Sequence, residues 1–280
     1  TSIVLPTHDN ASWRFGYTQP VEGVLCLNRV DTPAGGHETV VYSSKPHQFP
    51  GLIARKLPRV ASHVRDPGCG LPPSVTHYTY GDTDHNFLGF GSGIAWSDDG
   101  LDNLYKVNAD YTYETCEIVW DEAQQREVRT TSRVFNKYHL LVLEKVCNKA
   151  KPDSSVGDAM FVTETTYFID PDLEFSDQPA YCQLPQTVSQ TWYYANVIEP
   201  RHHETVQTTY DNFGNLLTQI GADGVTETST WYDKEGEDGC PPDPQGFVRN
   251  IKSKTVIPAK SSYGAAPTLQ TLYRYDQYQG

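Results

Sequence analysis

The sequence predicts an all-β fold made of stacked antiparallel β-hairpin repeats. The 280 residues include 18 Tyr, 10 Phe and 5 Trp, and these side chains suit a pleated, half-buried surface. The 21 Gly and 19 Pro indicate many turns and few long helices. No segment has a convincing helical pattern of ten or more residues, and the best candidate, 121–128, is short and polar.

A repeated dipeptide predicts that the fold contains repeats. Tyr-Asp occurs at Tyr210-Asp211, Tyr232-Asp233 and Tyr275-Asp276, with separations of 22 and 43 residues. Because the second separation is close to twice the first, the spacing indicates a unit of roughly 21 to 22 residues.

One such unit has the pattern of a β-hairpin with a linking turn. Asp211 begins a turn that continues through Gly214 and Asn215, where an Asp carboxylate can accept hydrogen bonds from the backbone amides that follow. The alternating segment 216–220 then predicts a strand, Asp223-Gly224 a tight hairpin turn, and 225–232 the returning strand. A single hairpin cannot bury its apolar side chains alone, so we expect the units to stack.

The same pattern is weaker upstream. Strands are predicted at 38–42, 75–80, 163–168 and 187–194, and 133–141 is predicted to open a repeat with Phe135-Asn136 in place of Tyr-Asp. Segments rich in Pro, Gly and acidic residues are predicted to be loops or insertions: 43–74, 81–103, 148–159, 170–186 and 235–247.

The Tyr-Asp units resemble the RHS (YD) repeat family of large bacterial RHS proteins and Tc-toxin-like B and C subunits. The resemblance depends on Tyr210, Asp211, Gly214, Asn215, Tyr232, Asp233, Gly236, Tyr275 and Asp276, and the segment 271–276 matches the family's strand most closely. The segments 87–90 and 96–102 resemble the degenerate repeats of that family. The sequence therefore divides into a degenerate RHS-like region with loop insertions, 1–200, and recognisable YD repeats, 201–280, which end within a repeat.

This resemblance implies a structural function. In the family, the repeats form a curved ribbon or shell-like sheet that winds into a hollow shell around a C-terminal toxin domain. The resemblance therefore implies this arrangement of the hairpins, and the implied partners are the rest of the same polypeptide and its toxin. It also implies secretion, or delivery by a bacterial secretion system. The last unit departs from the pattern because its Gly is one position late. The family's self-cleaving segment and toxin would lie beyond this unit, so the resemblance supplies no catalytic residue within the sequence.

The net charge of −13 excludes several function classes. Lys and Arg total 22 against 35 Asp and Glu, which argues against nucleic acid and anionic membrane partners. No stretch of 18 apolar residues predicts a membrane span, and no leader peptide is recognisable. The chain starts at Thr1 and its sole methionine is Met160, so we expect a processed chain or a piece of a longer one.

The Cys and His residues do not form a pattern that predicts a metal or another cofactor. The six cysteines contain no C-x-x-C pair, and they are predicted to be mostly reduced and partly buried. His202 and His203 are adjacent on a predicted strand, so their imidazoles should point to opposite faces and are not predicted to share a metal. The segment 89–93 lacks the Lys of a phosphate loop and the order of a nucleophile elbow, and it is predicted to be a turn.

The alternative hypothesis is a carbohydrate-binding β-domain that contacts cell-surface glycans. Its candidate residues are Trp96, Asp98, Asp99 and Asp102, because an aromatic face beside carboxylates suits a hydroxyl-rich ligand. The competing interpretation of the same residues is a turn in which the carboxylates accept hydrogen bonds from backbone amides. A glycosidase acting through these carboxylates is a third and weaker hypothesis, so the chain is not expected to be an enzyme.

Overall fold

The computed structural model describes residues 2–4, 11–81, 85–93, 110–150, 157–194, 199–260, 264 and 266–276. It is nearly all β, as the sequence predicts. Sixteen strands of this described part form one sheet that is not closed, in the order β1-β2-β3-β4-β7-β8-β9-β10-β11-β12-β13-β14-β15-β16-β17-β18. Strands β5 and β6 form a separate hairpin. Apart from this inserted pair, spatial order follows chain order, which is the arrangement expected when hairpins stack one after another.

The prediction that 43–74 is a loop or insertion is wrong where this range includes a strand of the main sheet. This segment holds the β5–β6 hairpin and β7, which pairs on one side with β4 and on the other with β8. Pro58 and Pro67 lie just outside the two ends of β7. Proline lacks the N–H group that a central strand must donate, so these prolines mark the strand's ends within a segment that otherwise has a loop-like composition.

The chain divides into two compact units, and the first contains Thr1–Val162 and Trp192–Arg201. Its strands begin with β1 Ser2–Val4, β2 Ser12–Val21, β3 Val24–Asp31, β4 His37–Tyr42, β5 His47–Phe49, β6 Leu52–Leu57, β7 Val60–Asp66 and β8 Ser74–Thr79. They continue with β9 Thr112–Asp121, β10 Arg126–Asn136, β11 Leu141–Asn148 and the first part of β12 Ala159–Tyr167. The long β9–β10 hairpin includes the polar segment 121–128, whose centre is a turn and not a helix.

The second unit contains Thr163–Thr191 and His202–Gly280. Its strands are most of β13 Pro185–Tyr194, then β14 His202–Tyr210, β15 Leu216–Ile220, β16 Thr226–Trp231, β17 Ile251–Ile257 and β18 Leu269–Leu272. A short 3-10 helix, Phe175–Asp177, lies in the connection before β13. The predicted hairpin is confirmed: β15 and β16 pair antiparallel with Thr218 opposite Thr228.

The described residues bury little apolar surface. Six apolar side chains among them are buried: Val75, Tyr111, Tyr138, Cys182, Tyr232 and Cys240. No large side chain of the described residues is less than 2% exposed. Much of each sheet face is therefore only half-buried, and the aromatic residues at the turns supply much of the packing.

Candidate functional site

The turn that begins at Asp211 has the geometry that its sequence predicts. The Asp211 carboxylate oxygen Oδ1 accepts hydrogen bonds from the backbone amides of Phe213 and Asn215, both at 2.8 Å. The Asp211 amide donates to the Asn215 carbonyl at 2.9 Å, and the Gly214 amide donates to the Asp211 carbonyl at 3.1 Å. Gly214 has a φ of +82°, which a residue with a Cβ adopts only at a cost. The spacing of Asp and Gly in the repeat motif thus builds a closed five-residue turn.

A turn of the same kind recurs where the sequence has no Tyr-Asp. Asn136 follows Phe135, and its side-chain oxygen accepts from the Tyr138 and Leu140 amides at 3.0 and 3.1 Å. The Asn136 amide donates to the Leu140 carbonyl, and the His139 amide donates to the Asn136 carbonyl, each at 3.0 Å. His139, with a φ of +61°, holds the position that Gly has elsewhere. Phe135-Asn136 therefore opens a repeat as predicted.

Three further turns share part of this pattern, at Thr32, Asn86 and Asp243. In each, the amide of the fourth residue donates to the carbonyl of the first, at 3.1, 2.9 and 3.1 Å respectively. The fourth residue is a Gly with positive φ in every case: Gly35, Gly89 and Gly246. Asn86 and Asp243 lie in segments predicted to be loops, and the Asn/Asp-x-x-Gly spacing is the sequence signal that identifies these turns.

The unit at Tyr232 and Asp233 begins in the same way and then enters an ordered loop. Asp233 Oδ1 accepts from the Glu235 amide at 2.8 Å, and the Gly236 amide donates to the Asp233 carbonyl at 3.0 Å. The chain next makes a short bridge between Glu237 and Cys240. The loop 235–247 is held by an ion pair between Lys252 and Glu237 and by one between Arg274 and Asp238 at 3.0 Å.

The tyrosine rings of the last two units pack against each other. Tyr232 is 4% exposed, and its ring meets that of Tyr275 edge-on with centroids 6.0 Å apart. The Tyr232 hydroxyl donates to the Tyr273 carbonyl at 2.8 Å, while the Tyr275 amide donates to the Gly239 carbonyl at 2.9 Å. A Cβ on Gly239 would lie 2.7 Å from the Tyr232 hydroxyl oxygen, so this close approach requires glycine. The loop, β16 and the segment after β18 thus meet around one buried ring.

Two pKa shifts follow from this packing. Burial is the main cause that raises the pKa of the Tyr275 hydroxyl. The pKa of Lys252 is raised mainly by its hydrogen bond to Glu237. Tyr275 and the exposed Asp276 line an open groove of about 650 Å³ with Arg274 and the loop. Both shifts favour the protonated forms of Tyr275 and Lys252.

The other aromatic residues that precede turns also pack on rings of neighbouring elements. Tyr210 meets Phe168 edge-on with centroids 6.0 Å apart. Phe135 stacks on Tyr113, which lies opposite it on β9, with centroids 5.1 Å apart and planes at 13°. Each ring thus brings the end of its own strand against a neighbouring element, and such ring pairs add roughly 0.5–1.5 kcal/mol beyond their buried area.

A second aromatic cluster in the first unit surrounds a buried histidine. The His47 ring contacts Tyr80 and Phe87 edge-on, with centroids 5.1 and 5.2 Å apart. The Arg59 guanidinium lies 4.3 Å from the centre of the Tyr80 ring. Burial first, and the positive charge of Arg59 second, lower the pKa of His47 to about 4. His47 is therefore neutral near pH 7 and functions as one more packed ring.

The described residues contain no group of three or more His, Cys, Asp or Glu side chains that could hold a metal ion. His202 contacts Glu204, with Nε2 2.7 Å from the carboxylate, whereas His203 bonds Thr191 and Thr205. The two imidazoles thus have separate partners, as their adjacent positions on a strand predict. All six cysteines are free thiols, of which Cys182 and Cys240 are buried and Cys69 is exposed.

The predicted ligand residues Trp96, Asp98, Asp99 and Asp102 lie outside the described residues. The nearby segment 89–93 is a series of turns, as predicted, in which the Ser92 hydroxyl donates to the Gly89 carbonyl at 2.5 Å. Among the residues that the structure does describe, no helix is long and apolar enough to cross a membrane.

Comparison with solved structures finds weak likenesses to large toxin complexes. One is the crystal structure of TcdB2-TccC3 without its hypervariable C-terminal region, with a TM-score of 0.38 and 12% identity over 98% of this chain and 11% of that chain. Another is the crystal structure of TcdB2-TccC3-Cdc42, with a TM-score of 0.34 and 12% identity over 87% of this chain and 10% of that chain. No family model matches the chain, and no curated protein matches it. The chain spans about a tenth of the length of these structural neighbours.

Proposed function

We propose that this chain is a segment of an RHS-type β-scaffold that forms part of the wall around a C-terminal toxin domain in a secreted bacterial toxin or effector. In this proposal the chain has no catalytic activity of its own, and its partners are the rest of the same polypeptide and the enclosed domain. The nine motif residues from Tyr210 to Asp276 then have structural roles in turns and ring contacts.

The observation that carries the proposal is the recurrence of one turn geometry along a sheet whose strands follow chain order. The turns at Asn136 and Asp211 each join consecutive strands, β10 to β11 and β14 to β15. An aromatic residue precedes each turn, Phe135 in the first and Tyr210 in the second, and its ring packs on a ring of a neighbouring element. Repetition of this unit extends a sheet by one hairpin at a time, which is what a wall requires and what a compact catalytic domain does not.

The limited core supports the same proposal. Six apolar side chains of the described part of this chain are buried, whereas others, such as Leu25 and Leu272, are at least 70% exposed. A sheet with half-covered faces gains stability when further parts of a larger assembly pack against it. This property suits a scaffold segment better than an independent enzyme.

Protection of a C-terminal region from proteolysis tests the proposal. The polypeptide that contains this segment would be purified intact and treated with a protease, and electron microscopy would establish whether a β-shell is present. We expect a protected C-terminal region that becomes cleavable in Asp211→Ala, where the turn loses three hydrogen bonds. Asp223→Ala is the matched control, because Asp223 accepts one backbone bond at an exposed hairpin tip. Absence of a shell, or equal cleavage before and after Asp211→Ala, would contradict the proposal.

A further inference from the structure

One face of the second unit carries mostly neutral polar groups, interspersed with the apolar side chains of Ile220, Ile257 and Leu272. Antiparallel partners share a face, and the pairings place Thr209 opposite Thr218, Thr218 opposite Thr228, Thr228 opposite Thr255 and Thr255 opposite Gln270. Hydrogen bonds between Ser189 and Thr205 and between Thr191 and His203 extend the same face across β13. We name this surface the hydroxyl face: its hydroxyl-bearing residues are Thr187, Ser189, Thr191, Thr205, Thr209, Thr218, Thr226, Thr228, Thr230, Ser253 and Thr255.

The charge on the two faces of these strands differs. By strand alternation, His203 is the one acidic or basic residue on the hydroxyl face within the described strands from β13 to β18. The opposite face carries Glu204 and the ion pair between Lys254 and Glu227 at 2.8 Å. In a chain with a net charge of −13, a face of this size without carboxylates favours a neutral ligand over a cation, an anion or a charged lipid surface.

Several polar groups on this face have no side-chain partner in the described structure. Ser189, Thr191, Thr205 and His203 bond to one another, as do Thr230 and Ser253. No hydrogen bond to a described residue is made by the side chain of Thr187, Gln207, Thr209 or Thr218. Gln207 and Thr209 are exposed, so their donors and acceptors can reach an external ligand.

These unpaired groups converge on a depression of about 380 Å³. Its lining includes Phe168, Thr187, Gln207, Thr209, Thr218 and Ile220. Ile220 is 39% exposed and Phe168 is half-buried, so the depression also presents apolar carbon to a ligand. A carbohydrate has both required properties, hydroxyl groups that give and accept hydrogen bonds and C–H surfaces that pack on apolar side chains.

We propose that the second unit binds a neutral carbohydrate chain on its hydroxyl face, with Gln207, Thr209 and Thr218 as hydrogen-bonding residues and Phe168 and Ile220 as the apolar floor. The threonines on β16 and β17 continue the polar row beyond the depression, so a linear chain of several sugar units fits better than a monosaccharide. This binding site differs from the residues around Trp96 and does not depend on the scaffold function.

Titration calorimetry of the 280-residue chain with neutral linear hexasaccharides, namely maltohexaose, cellohexaose and chitohexaose, tests this proposal. We expect saturable binding of at least one of them, weakened about tenfold by Gln207→Ala or Thr218→Val through loss of one hydrogen bond. Gln219→Ala is the matched control, because Gln219 lies opposite Thr208 on the other face of the same two strands. Urea unfolding midpoints of all variants would establish that they are folded.

Three results of these titrations would overturn the proposal, and a fourth comes from a glycan array. The three are the absence of saturable binding to all three probes, equal binding by wild type and both hydroxyl-face variants, and loss of binding in Trp96→Ala with full binding in Gln207→Ala. A parallel array with sialylated and sulfated glycans distinguishes neutral from acidic ligands, and a preference for the acidic set would also contradict it. None of these outcomes depends on protease protection, so they test the site separately from the scaffold.

Discussion

At the residue scale, Asn136 tests the contribution of one side-chain oxygen to the recurrent turn. Asn136→Ala leaves the Tyr138 and Leu140 amides without their acceptor beside the buried Tyr138 ring. We expect the free energy of unfolding to fall by about 1–2 kcal/mol, measured by urea denaturation. Asn136→Asp keeps an acceptor oxygen in this position, as Asp211 does in its own turn, and should lose less. Equal losses for both variants would show that the oxygen is not the cause.

Gly214 tests the backbone of the same turn. A Cβ added there would meet only Leu184 Cδ1 at 3.7 Å, which is an ordinary contact. Gly214→Ala should therefore destabilise the protein by about 1–2 kcal/mol through its positive φ alone. Gly214→Asn is the comparison, since asparagine tolerates this region better and should restore part of the loss in the same denaturation experiment. A larger loss for Asn than for Ala would refute the backbone explanation.

His47 predicts a loss of stability in mildly acidic solution. Its pKa is about 4 in the folded protein and near 6.5 when exposed, so the unfolded chain binds the proton more readily. The neutral form therefore contributes its full stability above about pH 6.5, and the free energy of unfolding should fall between pH 6.5 and 4. The upper limit is about 1.4 kcal/mol per pH unit, reduced by the solvent that still reaches the ring.

Urea denaturation at several pH values checks this prediction. His47→Phe keeps a ring against Tyr80 and Phe87 and removes the titrating group, so its stability should depend less steeply on pH in this range. His202→Phe is the control, because His202 is exposed and bonded to Glu204. If His202→Phe flattens the profile and His47→Phe does not, the assignment to His47 is wrong.

At the element scale, the sequence predicts hairpins where it contains residues that are characteristic of a turn. Asp211, Gly214 and Asp223-Gly224 require a turn by their own stereochemistry, so the strands around them could be predicted from local residues. Strand β7 could not be found in this way, because its prolines lie outside its ends and the β-ladder depends on pairing with distant β4 and β8. The hydroxyl face could not be predicted from the sequence either, because it depends on the register between six strands, β13 to β18.

One of the contacts that hold the end of β18 is a hydroxyl from the residue that follows β16. Tyr232→Phe keeps the buried ring and removes the bond to the Tyr273 carbonyl. We expect a loss of about 1 kcal/mol and faster amide hydrogen exchange at Tyr275, whose amide is bonded to the Gly239 carbonyl of the loop. Amides in the β9–β10 hairpin of the first unit should keep their exchange rates. Uniform acceleration across both units would indicate global destabilisation instead.

At the scale of the whole molecule, β1 and β18 are the outermost strands of the sheet, and no described strand pairs with the outer side of either. On β18, Leu269 is 63% exposed and Leu272 is 72% exposed. An apolar edge strand pairs readily with another chain unless a charge, a proline or a covering segment prevents it. A scaffold segment that adds strands at its edges needs such outermost strands, whereas the 280-residue chain on its own should self-associate through them.

Light scattering coupled to size exclusion measures this association. We expect the mass of the wild-type chain to rise above 31.4 kDa with concentration, and more strongly at high salt, where the repulsion between net charges of −13 is screened. The double variant Leu269→Lys and Leu272→Lys should remain at the monomer mass, because a lysine on an edge strand opposes pairing. Leu71→Lys changes a leucine that is 60% exposed outside any strand, so it should associate like the wild type. Equal association of the double variant and the wild type would place the contact elsewhere and remove the edge as its cause.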